Sequence, residues 1–262
     1  MTGGGGVRAD LRAELRDGRG MLATFSLLGC AEVIELVALA GFDAVILDME
    51  HGPFDLQQMS RCLVAAHLRG MPVITRVANG DPSMIGKVLD LGADGVLAPH
   101  IGSAAEARAL VAAARFAPEG ERGAHPWVRA ADFDGASGGS AAGWFADANS
   151  RAAVLAMVEG ADALHNLEEI VHVTGLDAVF LGPVDLAQAL GVPGQPDHEL
   201  VVSALTRARA VAAEAGLATA VFAASPERAR SWLDKGLGLV AYGVDSKLIL
   251  DGLRSARDRG RP

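Results

Sequence analysis

Lysine is nearly missing from this sequence of 262 residues: Lys87, Lys235 and Lys247 are the only three, against 20 arginines. Chemistry that needs an amine nucleophile, such as trapping a carbonyl as a Schiff base, therefore has few candidates. Cysteine is scarcer still. Cys30 and Cys62 lie far apart in segments of helical pattern, which excludes CxxC redox chemistry and a thiolate zinc centre. They read as small buried hydrophobes of a reducing compartment. There is no basic stripe, and a formal charge of −9 disfavours a nucleic-acid partner, whose binding draws on clustered Lys and Arg. No run reaches the roughly 18 apolar residues of a membrane span, and the opening MTGGGGVRADLRAELRDGRG lacks the apolar core of a signal peptide. The expectation is a cytoplasmic protein with no membrane partner.

What is present is a chain with 50% hydrophobic and 21% charged residues, enough to bury a core. Short β-branched or apolar runs alternate with longer segments of helical period, the pattern of repeated βα units. Strands are predicted near 22–26, 44–48, 72–76, 95–98, 153–158, 177–181, 218–222 and 239–242. Helices are predicted at 30–40, 55–69, 81–91, 103–115, 163–173, 198–215, 225–235 and 245–257. Asp81 before Pro82, Ser103 three residues ahead of Glu106, and Ser225 before Pro226 supply N-caps. Glycines at 41, 70, 92, 175, 216 and 236 fall just past helix ends, where a left-handed C-cap is expected. Eight strands and eight helices predict one (β/α)8 TIM barrel over 11–262 after a flexible N-terminus at 1–10. The stretch 117–150, which includes GASGGSAAG, reads as a long loop, either a lid or an insert without function.

Barrel active sites are assembled from the C-terminal ends of strands. There the sequence carries Asp48, Glu50 and His51 after strand 2, Arg76 at the end of strand 3, Glu159 after strand 5, and Gly182, Pro183, Val184 and Asp185 after strand 6. Glu159 and Asp185 follow adjacent strands, whose backbones lie about 4.8 Å apart. Two such carboxylates, without Cys or His beside them, favour a hard divalent cation, Mg2+ or Mn2+ with Co2+ as a further option. A 2-oxo acid could add its carboxylate and ketone oxygens, and the cation would acidify the adjacent methyl. Arg76 offers a rigid cationic fork for an enolate oxygen or a carboxylate, or else a salt bridge to Asp48 or Glu50. His51 is the natural proton carrier, with Asp48 to fix its tautomer, or else a surface loop residue. Gly182 and the N–H groups near Asp185 suit close approach of an anion.

The stretches LDMEHGPFD, TRVANGD, ADGVLAPHI, ARFAPEGERG, MVEGADALHN, GLDAVFLGPVDLAQALG and AYGVDSKLI together resemble the HpcH/HpaI aldolase family, over roughly residues 10 to 255. The resemblance implies a metal-dependent class II pyruvate aldolase on a TIM barrel. It implies Glu159 and Asp185 as metal ligands, Arg76 as enolate stabiliser, and His51 with Asp48 as an acid–base dyad working through water. It also implies backbone near Val184 and Asp185 as the pyruvate carboxylate site, and a hexamer, a trimer of dimers that exchange C-terminal helices. Departures from the family's pattern are Met157 and Gly160 around Glu159, Ala187 after the second ligand, and His100 where an apolar residue is expected. His100 at the pocket mouth, with His125 and Arg129 in the 117–150 loop, are further candidates, and Trp127, Trp144 and Phe145 could cover the pocket or a neighbouring subunit.

The leading reading is a lyase that cleaves a 4-hydroxy-2-oxo acid into pyruvate and an aldehyde through a metal-stabilised pyruvate enolate. A second keeps the enolate but decarboxylates oxaloacetate or forms a carbon–carbon bond, in the manner of macrophomate synthase. A third, from another class, is a silent barrel that binds a small carboxylate. A Schiff-base aldolase is disfavoured because no predicted strand carries a lysine.

Overall fold

A computed structural model describes residues 9–135 and 140–261, so most of the stretch expected to be flexible at the N-terminus, and 136–139 of the glycine-rich loop, lie outside the described residues. Eight parallel strands close into a barrel in sequential order. They are β1 (Met21–Ser26), β2 (Ala44–Asp48), β3 (Val73–Arg76), β4 (Gly95–Ala98), β5 (Ala153–Val158), β6 (Ala178–Leu181), β7 (Ala218–Ala223) and β8 (Leu239–Val244). Each stands within two residues of its expected bounds.

The helices, in chain order, are α1 (Leu11–Asp17), α2 (Ala31–Leu39), α3 (Leu56–Leu68), α4 (Pro82–Asp90), α5 (Ala104–Ala114) and α6 (Ala141–Arg151). They continue as α7 (Ala161–His165), α8 (Leu167–Val171), α9 (Pro183–Ala189), α10 (Glu199–Glu214), α11 (Pro226–Asp234) and α12 (Asp245–Arg259). Asp81, Ser103 and Ser225 cap their helices through side-chain oxygens, and Asp55 with Gln58 closes a reciprocal capping box on α3. The six glycines expected past helix ends all have positive φ. None of the described helices is long and apolar enough to cross a membrane.

Three differences from the sequence reading have local causes. The segment 163–173 is two short helices, broken at Asn166, whose side-chain amide donates to the Gly102 carbonyl instead of facing solvent. The stretch 117–150 is not one loop: α6 fills its second half, capped by Ser140, and Trp144 and Phe145 pack on Phe116 at 5.3 and 4.6 Å rather than over the C-terminal mouth of the barrel. A third addition is α1, which closes the N-terminal end of the barrel with Leu11 and Leu15.

Alternation along the strands builds two layers. Ala23 and Phe25, Ile46, Ile74, Leu97, Leu155 and Met157, Phe180, Ala220 and Ala241 fill the barrel interior. Residues of the opposite parity, such as Val45, Leu47, Val154 and Val179, pack outward under the helices. The interior parity, continued two residues up the strands, runs from Ile46 to Asp48, from Ile74 to Arg76, from Met157 to Glu159 and from Phe180 to Gly182. The polar residues thus stand above an apolar floor at the C-terminal mouth.

Candidate active site

The β2–β3 register sets Asp48 directly opposite Arg76. Both are buried, and the arginine lays its fork on the carboxylate with Nε to Oδ1 at 2.8 Å and Nη2 to Oδ2 at 2.6 Å. Its third arm, Nη1, lies 2.9 Å from Glu50 Oε2. Below it the guanidinium carbon sits 4.8 Å from the centroid of the Phe25 ring, and Met157 Sδ lies 3.8 Å from Nη1. Burial works against the Arg76 charge, but Asp48, through hydrogen bonding and charge, with Glu50 and Glu159, more than offsets it and holds the pKa above its ordinary value. Of the five guanidinium donors four are engaged, one of them only by the weakly accepting Met157 sulfur, which leaves one N–H on Nη2 for a ligand.

These contacts revise the expected role of Asp48. Its Oδ1 also accepts the backbone N–H groups of Glu50 at 3.0 Å and His51 at 3.4 Å, so it fixes the turn after β2 and the arginine, not the His51 ring. That ring is 64% exposed, and its nearest carboxylate is Glu50, at 3.9 Å from Nε2. Both pairings weighed for Arg76, to Asp48 and to Glu50, are present.

Glu159 is 3% exposed. Its Oε1 accepts the His100 backbone N–H at 2.8 Å and faces His100 Nδ1 at 2.9 Å, while His100 Nε2 lies 3.0 Å from Glu50 Oε1. Burial pushes the Glu159 carboxyl above the usual range, the His100 N–H and ring oppose this, and the charges of Asp185 and Glu50 add to the rise. Asp185 belongs to the first turn of α9, which Gly182 and Pro183 open. A Cβ on Gly182 would come within 2.9 Å of Glu159 Cβ and Oε2, so only glycine lets this backbone lie against the carboxylate.

Asp48, Glu50, Arg76, His100, Glu159, Gly182 and Asp185 are thereby brought to one end of the barrel, with His51 at its rim. His125 and Arg129 are not. His125 is exposed and meets the edge of Trp127 at 5.6 Å. Arg129 lines a cavity of about 1060 Å3 at the opposite end of the barrel, beside Asp10, Asp94 and Arg122. The chain leaves α5 on that side and only then enters the 117–150 stretch, so these residues start from the wrong face. The lysines are off the strands, as expected: Lys87 is in α4, Lys235 ends α11 with Nζ 4.4 Å from the Trp232 ring, and Lys247 in α12 pairs with Asp251.

Sequence reasoning passed over Asp245. This buried carboxylate follows β8 and accepts from Ser26 Oγ at 2.7 Å and from the N–H groups of Leu27 and Leu28 at 3.0 and 3.1 Å, fixing the loop after β1. Its signal, an acid straight after a strand, is the same one that marked Glu159.

Residues 22–252 match the family model described as HpcH/HpaI aldolase/citrate lyase. The chain is 37% identical over 249 residues to a hydroxypyruvate/pyruvate aldolase of Pseudomonas aeruginosa, covering 95% of this chain and 91% of that protein. It is 35% identical over 247 residues to a 2-keto-3-deoxy-L-rhamnonate aldolase of Escherichia coli K12, covering 92% and 89%. A crystal structure of an HpcH/HpaI aldolase/citrate lyase family protein from Burkholderia cenocepacia J2315 superposes with a TM-score of 0.89 at 31% identity, covering 96% of this chain and 99% of that one.

Proposed function

The chain belongs to the HpcH/HpaI aldolase/citrate lyase family and is a lyase of the aldolase type, and from that premise we propose that it reversibly cleaves a 4-hydroxy-2-oxo acid to pyruvate and an aldehyde. The observation that carries this reading is the carboxylate pair Glu159 and Asp185 beside the clamped Arg76, above an apolar barrel floor.

A divalent cation, Mg2+ or Mn2+ with Co2+ as a further option, suits this pair. Glu159 keeps Oε2 outside every hydrogen bond among the described residues, and Asp185 makes no ion pair there, so two carboxylates share one small space without a protein cation between them. No group of three or more His, Cys, Asp or Glu among the described residues is arranged to hold a metal. Water and substrate oxygens would therefore complete the shell, as hard divalent ions allow. A cation held there supplies Lewis acidity at the 2-oxo group.

The chain's own residues do the rest. The spare Nη2 N–H of Arg76, joined by the Nη1 N–H that only the Met157 sulfur holds, donates to the oxygen on C2, where negative charge gathers as the C3–C4 bond breaks. The N–H groups of Val184 and Asp185, at a helix start without intrahelical acceptors, take the pyruvate carboxylate, and Gly182 and Pro183 hold that turn close to Glu159. His51, at the rim, receives through water the proton of the 4-hydroxyl as the aldehyde leaves. Return of a proton to C3 of the enolate completes pyruvate.

The test is proton exchange. Enzyme with pyruvate and Mg2+ or Mn2+ in D2O is expected to exchange the methyl protons, read by NMR, and chelation is expected to stop it. No exchange with any divalent ion would overturn the reading. Loss of carbon dioxide from oxaloacetate without aldehyde-dependent turnover would move it to a decarboxylating or bond-forming enolate enzyme.

A further inference from the structure

His100 lies in an uncommon backbone conformation. Its φ is +56°, in the left-handed region that few side-chain-bearing residues adopt, His with Asn and Asp more readily than the rest. Such a conformation persists where its surroundings over-determine it, and it concentrates at functional sites. Three contacts hold this one. The backbone N–H and ring Nδ1 both meet Glu159 Oε1, at 2.8 and 2.9 Å, and the far ring nitrogen meets Glu50 Oε1 at 3.0 Å. Glu50 uses its other oxygen on Arg76, at 2.9 Å. The ring itself is 68% exposed, so it was not placed here by hydrophobic burial.

The consequence concerns which oxygen of Glu159 is left to act. Both contacts fall on Oε1, and Oε2 is the oxygen that lies against the Gly182 backbone. We propose that His100 is a positioning residue of the aldolase site, which occupies Oε1 of Glu159 so that Oε2 alone is presented for the cation, and which braces Glu50 against Arg76. A side chain without ring nitrogens at position 100 would keep the backbone donor and lose both other contacts. Carboxylate ligands are oriented by such outer partners, whose removal costs about 10- to 100-fold in metal affinity. The imidazole thus joins the two halves of the site in one chain, from Asp48 through Arg76, Glu50 and His100 to Glu159.

This inference rests on the reading of Glu159 and Asp185 as cation ligands, and the experiment separates the two. Mn2+ is titrated into the metal-free protein without substrate and followed by electron paramagnetic resonance. His100→Leu is expected to weaken binding by about 10- to 100-fold. Two further variants divide the ring's contacts, since an Asn amide reaches the position of Nδ1 and a Gln amide that of Nε2. His100→Asn, which also tolerates the positive φ, is expected to recover Mn2+ affinity but leave the KM for pyruvate raised; His100→Gln is expected to do the reverse. Wild-type affinity in His100→Leu overturns the inference, as does equal Mn2+ affinity in the Asn and Gln variants, which decides the matter if the Leu variant does not fold. If wild type and Glu159→Gln bind Mn2+ equally poorly, it is the cation reading that fails.

Discussion

Asp48 has two carboxylate oxygens and four donors drawn to them: two from Arg76 and the backbone N–H groups of Glu50 and His51. Replacing one oxygen with an amide NH2 turns a donor toward donors that are already buried. Each lost charge-assisted hydrogen bond is worth about 1.5–3 kcal/mol, or roughly one to two decades in rate if it is felt in the transition state. Asp48→Asn is therefore expected to lower kcat/KM about 10- to 100-fold, with a raised KM for pyruvate, in steady-state assays at unchanged helical content. The two cysteines give a second test at this scale. Burial pushes the Cys62 thiol up to about 12, with the charges of Cys30, Asp245 and Glu32 adding to the rise, whereas Cys30 is half-buried at the start of α2. Because the thiolate is the reactive form, iodoacetamide at pH 8 is expected to label Cys30 and spare Cys62 in the native protein, as read by peptide mass spectrometry. Raised above its unfolded value, Cys62 contributes stability that is present below about pH 9 and is lost as pH climbs toward 12. The strand-end residues were legible because side chains alternate with period two. Their partners were not: that Asp48 serves Arg76 and not His51 depends on the β2–β3 register, and the bridge made by His100 depends on three loops meeting.

Strand and helix positions in the eight βα units could be read because each unit carries its own signals in alternation, cap and terminal glycine. Elements outside that alternation were missed, although Asp10 and Gly18 cap α1 and Ser140 caps α6. α1 is seven residues long and amphipathic only with respect to the barrel floor it closes, and α6 begins beside the glycine-rich stretch that suggested a loop. What holds α1 in place is a tertiary feature, the carboxylate of Asp177 just before β6. It accepts from Arg12 Nε at 2.6 Å, Arg16 Nη2 at 3.3 Å, Arg115 Nη2 at 3.1 Å and the Val154 N–H at 3.0 Å. One buried acid so ties α1, the end of α5 and β5 together. Burial is the main cause that lowers the Arg115 pKa to about 10, with Arg12 adding to it against the pull of Asp177. Removing the acid leaves that guanidinium buried beside another arginine. Asp177→Ala is expected to cost about 3–5 kcal/mol, the range for breaking one side of a buried ion pair, as read from the urea midpoint. The pyruvate KM of the folded fraction is expected to stay at the wild-type value, because this network sits at the end of the barrel opposite the site.

The whole molecule separates its tasks by face: anchoring contacts at the N-terminal end, candidate chemistry at the C-terminal end, and apolar side chains left over on the flank. On α12 only Asp245 is buried, while Ile249, Leu250 and Leu253 are exposed on one side of the helix, Leu253 at 64%. On α2, which follows the strand next to β8 in the closed barrel, Leu36 and Leu39 are exposed at 62% and 65%. A helix that buries a single residue against its own barrel gains little by lying there, and exposed apolar groups clustered on adjacent helices mark an interaction surface. The expected occupant is a second copy of this chain, because the family resemblance implies an exchange of C-terminal helices. Nothing in composition pointed to it, since a net charge of −9 by itself favours separation of copies. Leu250 and Leu253 sit at helical spacing, and the fold turns them away from their own barrel. Sedimentation velocity on the wild type is expected to give a mass at least twice the 26.9 kDa of one chain. Leu250→Glu with Leu253→Glu, two charges set into that face, is expected to shift the boundary toward the single-chain value while circular dichroism stays constant. A monomeric wild type, or an assembly indifferent to both charges, would remove α12 as the contact.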